Sequence, residues 1–178
     1  MTHDSNHPEK PDIEGAIRLL KTGDDQLRQF IAYLLGQTGD PRVIEPLIEA
    51  LEDEHIGVRG AAANALGKMG DARAIPHLRP FLTHANPQMA VWAAYALTCL
   101  GDDHFETLVA ALKSDEVAVR RSAILAMQQL GDQRAVGPLL ALQHDDGQRF
   151  AHDTTVAEAV DHALASLGYN IGRLPPRG

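Results

Sequence analysis

The sequence has few of the residues on which many functional classes depend. Its single cysteine, Cys99, can form neither an intramolecular disulfide nor a cysteine-rich zinc site. Aromatic residues are also scarce, with one tryptophan, three tyrosines and four phenylalanines. The 16 basic residues are outnumbered by 24 acidic ones, so the formal charge is −8. This balance argues against a partner that is duplex nucleic acid or an anionic membrane, because both are bound through basic residues.

Long apolar runs are missing as well. No stretch approaches the roughly 18 to 20 apolar residues of a transmembrane helix. The start of the chain, MTHDSNHPEKP, lacks the apolar segment of a secretory signal. We therefore expect a cytoplasmic protein. Residues 1–11 are polar with two prolines and predict a disordered tail, and residues 169–178 lack helical periodicity and predict an irregular one.

The feature that dominates the sequence is a repeat. The motifs LGQTGD, LGKMGD, LTCLGD, MQQLGD and LASLGY recur, and the glycines at their fifth positions are spaced 31, 31, 30 and 37 residues apart. A second motif ends eleven residues before each of these glycines. In two repeats it reads ValArg, at 58–59 and 119–120. Self-similarity at this period indicates a repeat architecture.

Each repeat is predicted to form two helices. In the second one, Val58, Ala62, Ala65, Leu66 and Met69 recur at helical spacing and form one apolar stripe. The glycine that follows suits a left-handed residue just past the helix end, and the aspartate after it suits the N-cap of the next helix. No segment alternates with period two, so a sheet is not predicted.

These patterns predict an all-α domain over residues 12–168. A unit of about 30 residues cannot bury its apolar stripe alone, so the units must stack on their neighbours. The five predicted units span about 12–39, 40–70, 71–101, 102–131 and 132–168.

The repeated motifs resemble those of HEAT-type α-solenoids, and within them the short-repeat, phycobilisome-lyase-type HEAT-like family. The resemblance covers residues 12–168 and implies a right-handed solenoid whose second helices line a concave face. It does not specify an activity, because this type of repeat occurs in bilin lyase subunits and in many scaffold proteins.

One enzymatic branch of similar proteins is tested residue by residue. Deoxyhypusine hydroxylases hold two irons with His-Glu pairs just after the ValArg motif, and none of the corresponding pairs here is His-Glu. No GxSxG motif or phosphate-binding glycine loop is present either, so we predict no catalytic residues. The pairs at the tested positions are Gln29-Phe30, Gly60-Ala61, Val91-Trp92, Arg121-Ser122 and Glu158-Ala159.

Arginines of the second motif form a series that we call the arginine ladder. We expect each to pair with an aspartate at a turn and to connect neighbouring units, since bidentate Arg–carboxylate pairs suit helix junctions. An anion-binding role along the groove is the alternative. Ala90 and Ala157 interrupt the series in the third and fifth units. The arginines are Arg28, Arg59 and Arg120, and the expected aspartates are Asp40, Asp71 and Asp132.

A partner-binding surface is predicted on the second helices. Half of the chain's aromatic residues lie there, in the first and third units, and aromatic residues on a weakly charged strip suit a protein or peptide partner. Phe30 and Trp92 could instead only fill space, whereas tyrosine hydroxyls favour a wet edge. The predicted partner-binding residues are Phe30, Tyr33, Asn64, Lys68, Trp92, Tyr95, Arg121 and His162.

The last unit carries about six extra residues, and the region 144–162 contains potential metal ligands. Their spacing matches no metal-binding motif, so we predict neither a metal nor another cofactor. The potential ligands are His144, Asp145, Asp146, His152, Asp153, Glu158 and His162.

The sequence therefore predicts a non-catalytic scaffold that binds a protein or peptide on its concave face. It predicts no nucleic-acid or membrane partner and leaves the oligomeric state open. The second hypothesis is a bilin lyase subunit or a chromophore-handling accessory protein. A weaker third one is a metalloprotein that uses the 144–162 region.

Overall fold

The computed structural model describes residues 12–142 and 155–169, and within them every regular element is helical. Short 3-10 turns, such as Pro41–Val43 and Ala72–Ala74, precede three of the α-helices. The α-helices are α1 (Ile13–Thr22), α2 (Asp25–Leu35), α3 (Ile44–Glu49), α4 (Ile56–Met69), α5 (Ile75–Leu78), α6 (Pro87–Cys99), α7 (Phe105–Ala111), α8 (Val117–Leu130), α9 (Val136–Leu142) and α10 (Val156–Ser166).

The helices form five stacked pairs. Each even-numbered helix packs against its pair-mate, and the even-numbered helices also pack on one another in the order α2, α4, α6, α8 and α10. One continuous cluster of buried apolar residues runs from Ile13 to Leu167. This arrangement confirms the predicted all-α repeat solenoid. The predicted tails, 1–11 and 169–178, lie outside the described residues except for Tyr169.

Turns between the repeats follow the predicted chemistry. The five motif glycines all have positive φ, between 67° and 87°, which few residues other than glycine adopt readily. Asp40, Asp71 and Asp132 each accept a hydrogen bond from the backbone N–H two residues later, and so cap the 3-10 turns that follow. None of the helices in these described ranges is long and apolar enough to cross a bilayer.

The aspartates predicted as partners of the arginine ladder are not the groups that these arginines contact. Arg59 donates from Nη1 to the backbone carbonyls of Asp53 and Glu54, at 2.7 and 3.0 Å. Arg120 donates in the same way to the carbonyl of Ser114. These carbonyls close the first helix of each pair and need a donor, which the arginine six residues later supplies.

The three aspartates instead pair with the arginine two residues further along the chain. Asp40, for example, accepts from Arg42, and Asp71 and Asp132 accept in the same way from Arg73 and Arg134. These hydrogen bonds lower the pKa of each carboxyl.

The same second set of arginines also reaches the preceding repeat. Arg42 contacts Glu14 at 3.1 Å, and Arg134 contacts Asp103 at 2.7 Å. The connection between neighbouring repeats that was expected of the arginine ladder is therefore made in part by arginines outside it.

Arg28 connects two repeats through a carboxylate, although its partner is Asp53 and not the expected aspartate. Its Nε and Nη2 atoms donate to the two carboxylate oxygens at 2.8 and 2.9 Å. Both side chains are well covered, at 12% and 13% exposed. Burial by itself would raise the pKa of Asp53, but the hydrogen bonds from Arg28 and from the His55 backbone outweigh it and hold this pKa below its usual value.

We expect Asp53→Asn to lower the stability of the protein at pH 7. A carboxyl whose pKa is lower in the folded state stabilises the fold above its unfolded pKa of about 3.9, and this stabilisation is lost as the pH falls through the folded value. The urea midpoints of the variant and the wild type should therefore differ at pH 7, and the difference should shrink as the pH is lowered below about 3.9. Glu52→Gln, which changes an exposed carboxylate just before the same turn, should leave the midpoint unchanged. Equal midpoints for Asp53→Asn and wild type at pH 7 would contradict the prediction.

Candidate ligand groove

The second helices of the first four repeats enclose a groove with a volume of about 620 Å³. This volume lies within the range of roughly 300 to 1,000 Å³ that is typical of small-molecule sites. Its lining residues come from α2 (Gln26, Gln29, Phe30, Tyr33), α4 (Ile56, Gly57, Gly60, Ala61, Asn64), α6 (Gln88, Trp92) and α8 (Ala118, Arg121, Ser122, Leu125, Gln129).

Trp92 is held in a defined orientation on the wall of the groove. Its indole lies against α4 where Gly60 has no side chain, and a Cβ at Gly60 would be 3.0 Å from Trp92 Cδ1. On its other side the indole meets the ring of Tyr95 edge to face, with centroids 6.1 Å apart. Because these contacts fix the half-buried indole, it forms a preorganised flat surface for a ligand.

The first repeat contributes two more aromatic side chains. Phe30 is 55% exposed and Tyr33 is 50% exposed, which is high for side chains of this size. Lys68 lies over the Tyr33 ring, with Nζ 5.3 Å from its centroid, in a cation–π contact. Lys68 is thus at the rim of the groove although it does not line it.

Two polar contacts cross between helices of the groove. Asn64 Nδ2 on α4 donates to Gln129 Oε1 on α8, although α6 lies between these helices in the stack. Gln88 Nε2 on α6 donates to Ser122 Oγ on α8 at 2.9 Å. The first contact shows that the surface is curved enough for the second and fourth repeats to meet.

Among the groove-lining residues that the structure describes, Arg121 is the one with a charged side chain. It is exposed and forms no ion pair with any residue in 12–142 or 155–169. None of the described residues places a carboxylate in the groove lining, although the chain as a whole carries a formal charge of −8. The described lining therefore offers a positive group to a ligand without an opposing negative one.

Six of the eight predicted partner-binding residues lie in the groove or at its rim. Five of them line the groove, and Lys68 is at its rim. His162 is exposed on α10, away from the groove. The five lining residues are Phe30, Tyr33, Asn64, Trp92 and Arg121.

The expectation that the hydroxyl of Tyr95 lies at a wet edge is wrong. Tyr95 is 2% exposed, because α4 and α8 close over α6 as the Asn64–Gln129 contact shows. Burial raises the pKa of its phenol, and a hydrogen bond with Cys99 adds to this shift. Desolvation also raises the pKa of the Cys99 thiol, so the thiolate form that acts as a nucleophile is disfavoured.

Most of the potential metal ligands of the last repeat, from His144 to Asp153, lie outside the described residues. In the described part, the Glu158 carboxylate accepts a hydrogen bond from the Thr155 backbone in a capping box at the start of α10. Among residues 12–142 and 155–169, no group of three or more His, Cys, Asp or Glu side chains could hold a metal ion.

Sequence reasoning missed the end of the groove that is formed by the first turns of the second helices. Gln26 and Ala118 lie three residues before Gln29 and Arg121, the first residues of the pairs tested in their units. Gln88 is at the corresponding turn of α6. Helical spacing could have identified these residues, since residues three or four apart share a helix face. Extending the same face by one turn towards the N-terminus would have included them.

A model of the HEAT repeats family matches residues 13–98 and 80–157. The chain belongs to this family. The match agrees with the five stacked helix pairs and with the resemblance seen in the sequence. The match identifies the architecture but does not indicate an activity.

Curated relatives include bilin-processing proteins. The chain is 32% identical over 156 residues to phycocyanobilin lyase subunit alpha of Pseudanabaena tenuis, covering 62% of this chain and 58% of that protein. It is 30% identical over 117 residues to the bilin biosynthesis protein PecE of Mastigocladus laminosus, covering 65% and 44%. The chain thus spans about half the length of these relatives.

A third relative represents the iron-binding branch tested above. The chain is 33% identical over 128 residues to human deoxyhypusine hydroxylase, covering 66% of this chain and 42% of that protein. The His-Glu pairs that this branch uses for iron are absent from all five corresponding positions of the chain.

These relatives correct the function expected from the sequence. A non-catalytic scaffold was the first hypothesis, yet relatives at 30% and 32% identity are named for bilin biosynthesis and for a bilin lyase subunit. The same names overturn the expectation that the protein is not an enzyme. The findings favour the second hypothesis, a role in bilin lyase chemistry.

Proposed function

We propose that this chain is a bilin-handling protein of the lyase type, acting as a subunit or module in the attachment of a bilin to a protein. The observation that carries the proposal is its similarity to phycocyanobilin lyase subunit alpha over 156 residues. The groove supports it, since its volume and aromatic lining suit a small conjugated molecule.

The proposal includes protein partners. The relative is named as a subunit, so we expect the chain to work with a second polypeptide. The protein that receives the bilin would be another partner. The exposed aromatic residues Phe30 and Tyr33 suit contacts with either one at the groove.

A reconstitution assay tests the function. Phycocyanobilin and an apo-phycobiliprotein are incubated with the chain alone, and with a bilin lyase in which the chain replaces subunit alpha. We expect more bilin to stay attached to the phycobiliprotein after denaturation than in the reaction without the chain. Attachment equal to the spontaneous level in both arrangements would refute the proposal. Human serum albumin, which also binds tetrapyrroles, serves as the control for non-specific delivery.

A further inference from the structure

The described residues of the groove present a flat aromatic surface and a positive charge, and together these define the chemistry of its ligand. Gly60 and Tyr95 fix the Trp92 indole, so the surface exists before any ligand binds. Preorganised aromatic groups bind conjugated rings without a further loss of side-chain freedom.

Several polar side chains of the groove already satisfy one another. Asn64 pairs with Gln129, and Gln88 pairs with Ser122. Arg121, in contrast, makes no ion pair with a described residue, and no described carboxylate lies beside it in the lining. A guanidinium in this setting is matched best by the carboxylate of a ligand, which it can bind through two parallel hydrogen bonds.

We propose that the groove selects an open-chain tetrapyrrole through its carboxylates, with Arg121 binding a propionate and Trp92 packing against the conjugated rings. This inference rests on the proposed function. It means that Arg121 makes the groove bind ligands with a carboxylate more tightly than ligands without one. Bilins fit both features, because they join a long conjugated system to propionate side chains.

Direct binding measurements on the full chain test the inference. Trp92 is the only tryptophan, so its fluorescence reports on the groove alone. Titration with biliverdin should quench this emission saturably and induce circular dichroism in the visible bilin bands. Biliverdin dimethyl ester, which has the same ring system without free carboxylates, should bind the wild type about tenfold more weakly.

Variants separate the charge of Arg121 from its place in the fold. Arg121→Gln should weaken biliverdin binding about tenfold and leave binding of the dimethyl ester unchanged, because a charge-assisted hydrogen bond is lost. Arg121→Lys keeps the charge and should retain most of the affinity. Arg18→Gln is the matched control, since Arg18 is an exposed arginine outside the groove, and it should bind like the wild type.

The outcomes distinguish this inference from the proposed function. If Arg121→Gln or the dimethyl ester binds as tightly as wild type with biliverdin, the carboxylate selection is refuted while bilin handling stands. If Trp92 is quenched by a helical peptide from the acceptor protein and not by biliverdin, the groove is a peptide site and the inference is likewise refuted. Failure of the reconstitution assay together with Arg121-dependent biliverdin binding would refute the lyase function alone.

Discussion

Replacing Tyr95 by alanine should destabilise the protein by about 3–5 kcal/mol, the usual cost of truncating a large buried aromatic side chain. Tyr95 is 2% exposed, and its ring lies beside Gly67 of α4 and contacts the indole of Trp92. Truncation would leave a cavity at the centre of the repeat stack. Urea denaturation followed by far-ultraviolet circular dichroism measures the change.

Two variants serve as controls for this prediction. Tyr33 occupies the same position in the first repeat but is 50% exposed, so Tyr33→Ala should change the stability by less than about 1 kcal/mol. Tyr95→Phe keeps the ring and removes only the hydroxyl that bonds with Cys99, so its cost should be about 0.5–1.5 kcal/mol. If Tyr95→Ala were no more destabilising than Tyr33→Ala, the burial of Tyr95 would be contradicted.

The comparison of these two tyrosines shows which features the sequence could predict. Local signals predicted the helix pairs well, because turn glycines such as Gly70 and capping aspartates such as Asp71 act within a few residues of the chain. The exposure of a repeat position depends on how many neighbouring repeats cover it. Tyr33 lies in the first repeat and Tyr95 in the third, so equal positions differ in burial.

The partners of the arginine ladder were predicted wrongly for a related reason. Arg42 is two residues from Asp40 in the chain, and a pair this close forms at little entropic cost. The sequence contained both candidate partners for Asp40, but the interpretation favoured the more distant arginine because it recurred in a motif. Arg28 found its carboxylate in Asp53, which belongs to the next repeat and has no fixed spacing from the motif.

The groove was predicted in part. The choice of second helices brought five of the eight predicted partner-binding residues into its lining, because helical periodicity fixes which residues share a face. The sequence did not predict the Asn64–Gln129 contact, since a hydrogen bond between the second and fourth repeats depends on the curvature of the stack. Curvature arises from small rotations between repeats that no local motif specifies.

The second large effect is expected at Gly36, the residue that follows α2 and lies close against Ala65 of α4. Its backbone has φ −63° and ψ −16°, a right-handed conformation that alanine adopts readily. A Cβ at this position would lie 2.6 Å from Ala65 Cβ and 2.7 Å from Ala65 Cα, both far inside van der Waals contact. Gly36→Ala should therefore reduce the free energy of unfolding by about 1–3 kcal/mol, through overpacking between the first two repeats.

Gly137→Ala is the matched control for this steric effect. Gly137 lies in α9, and a Cβ there would have no neighbour within 4 Å among the described residues. The substitution should leave the stability unchanged or raise it by up to about 1 kcal/mol, because alanine favours the helix more than glycine does. Adding Ala65→Gly to Gly36→Ala should restore only part of the loss, since it removes the Cβ contact and leaves the contact with Ala65 Cα. A rise in stability for Gly36→Ala equal to that for Gly137→Ala would show that α2 and α4 are not in the close contact on which the groove is built.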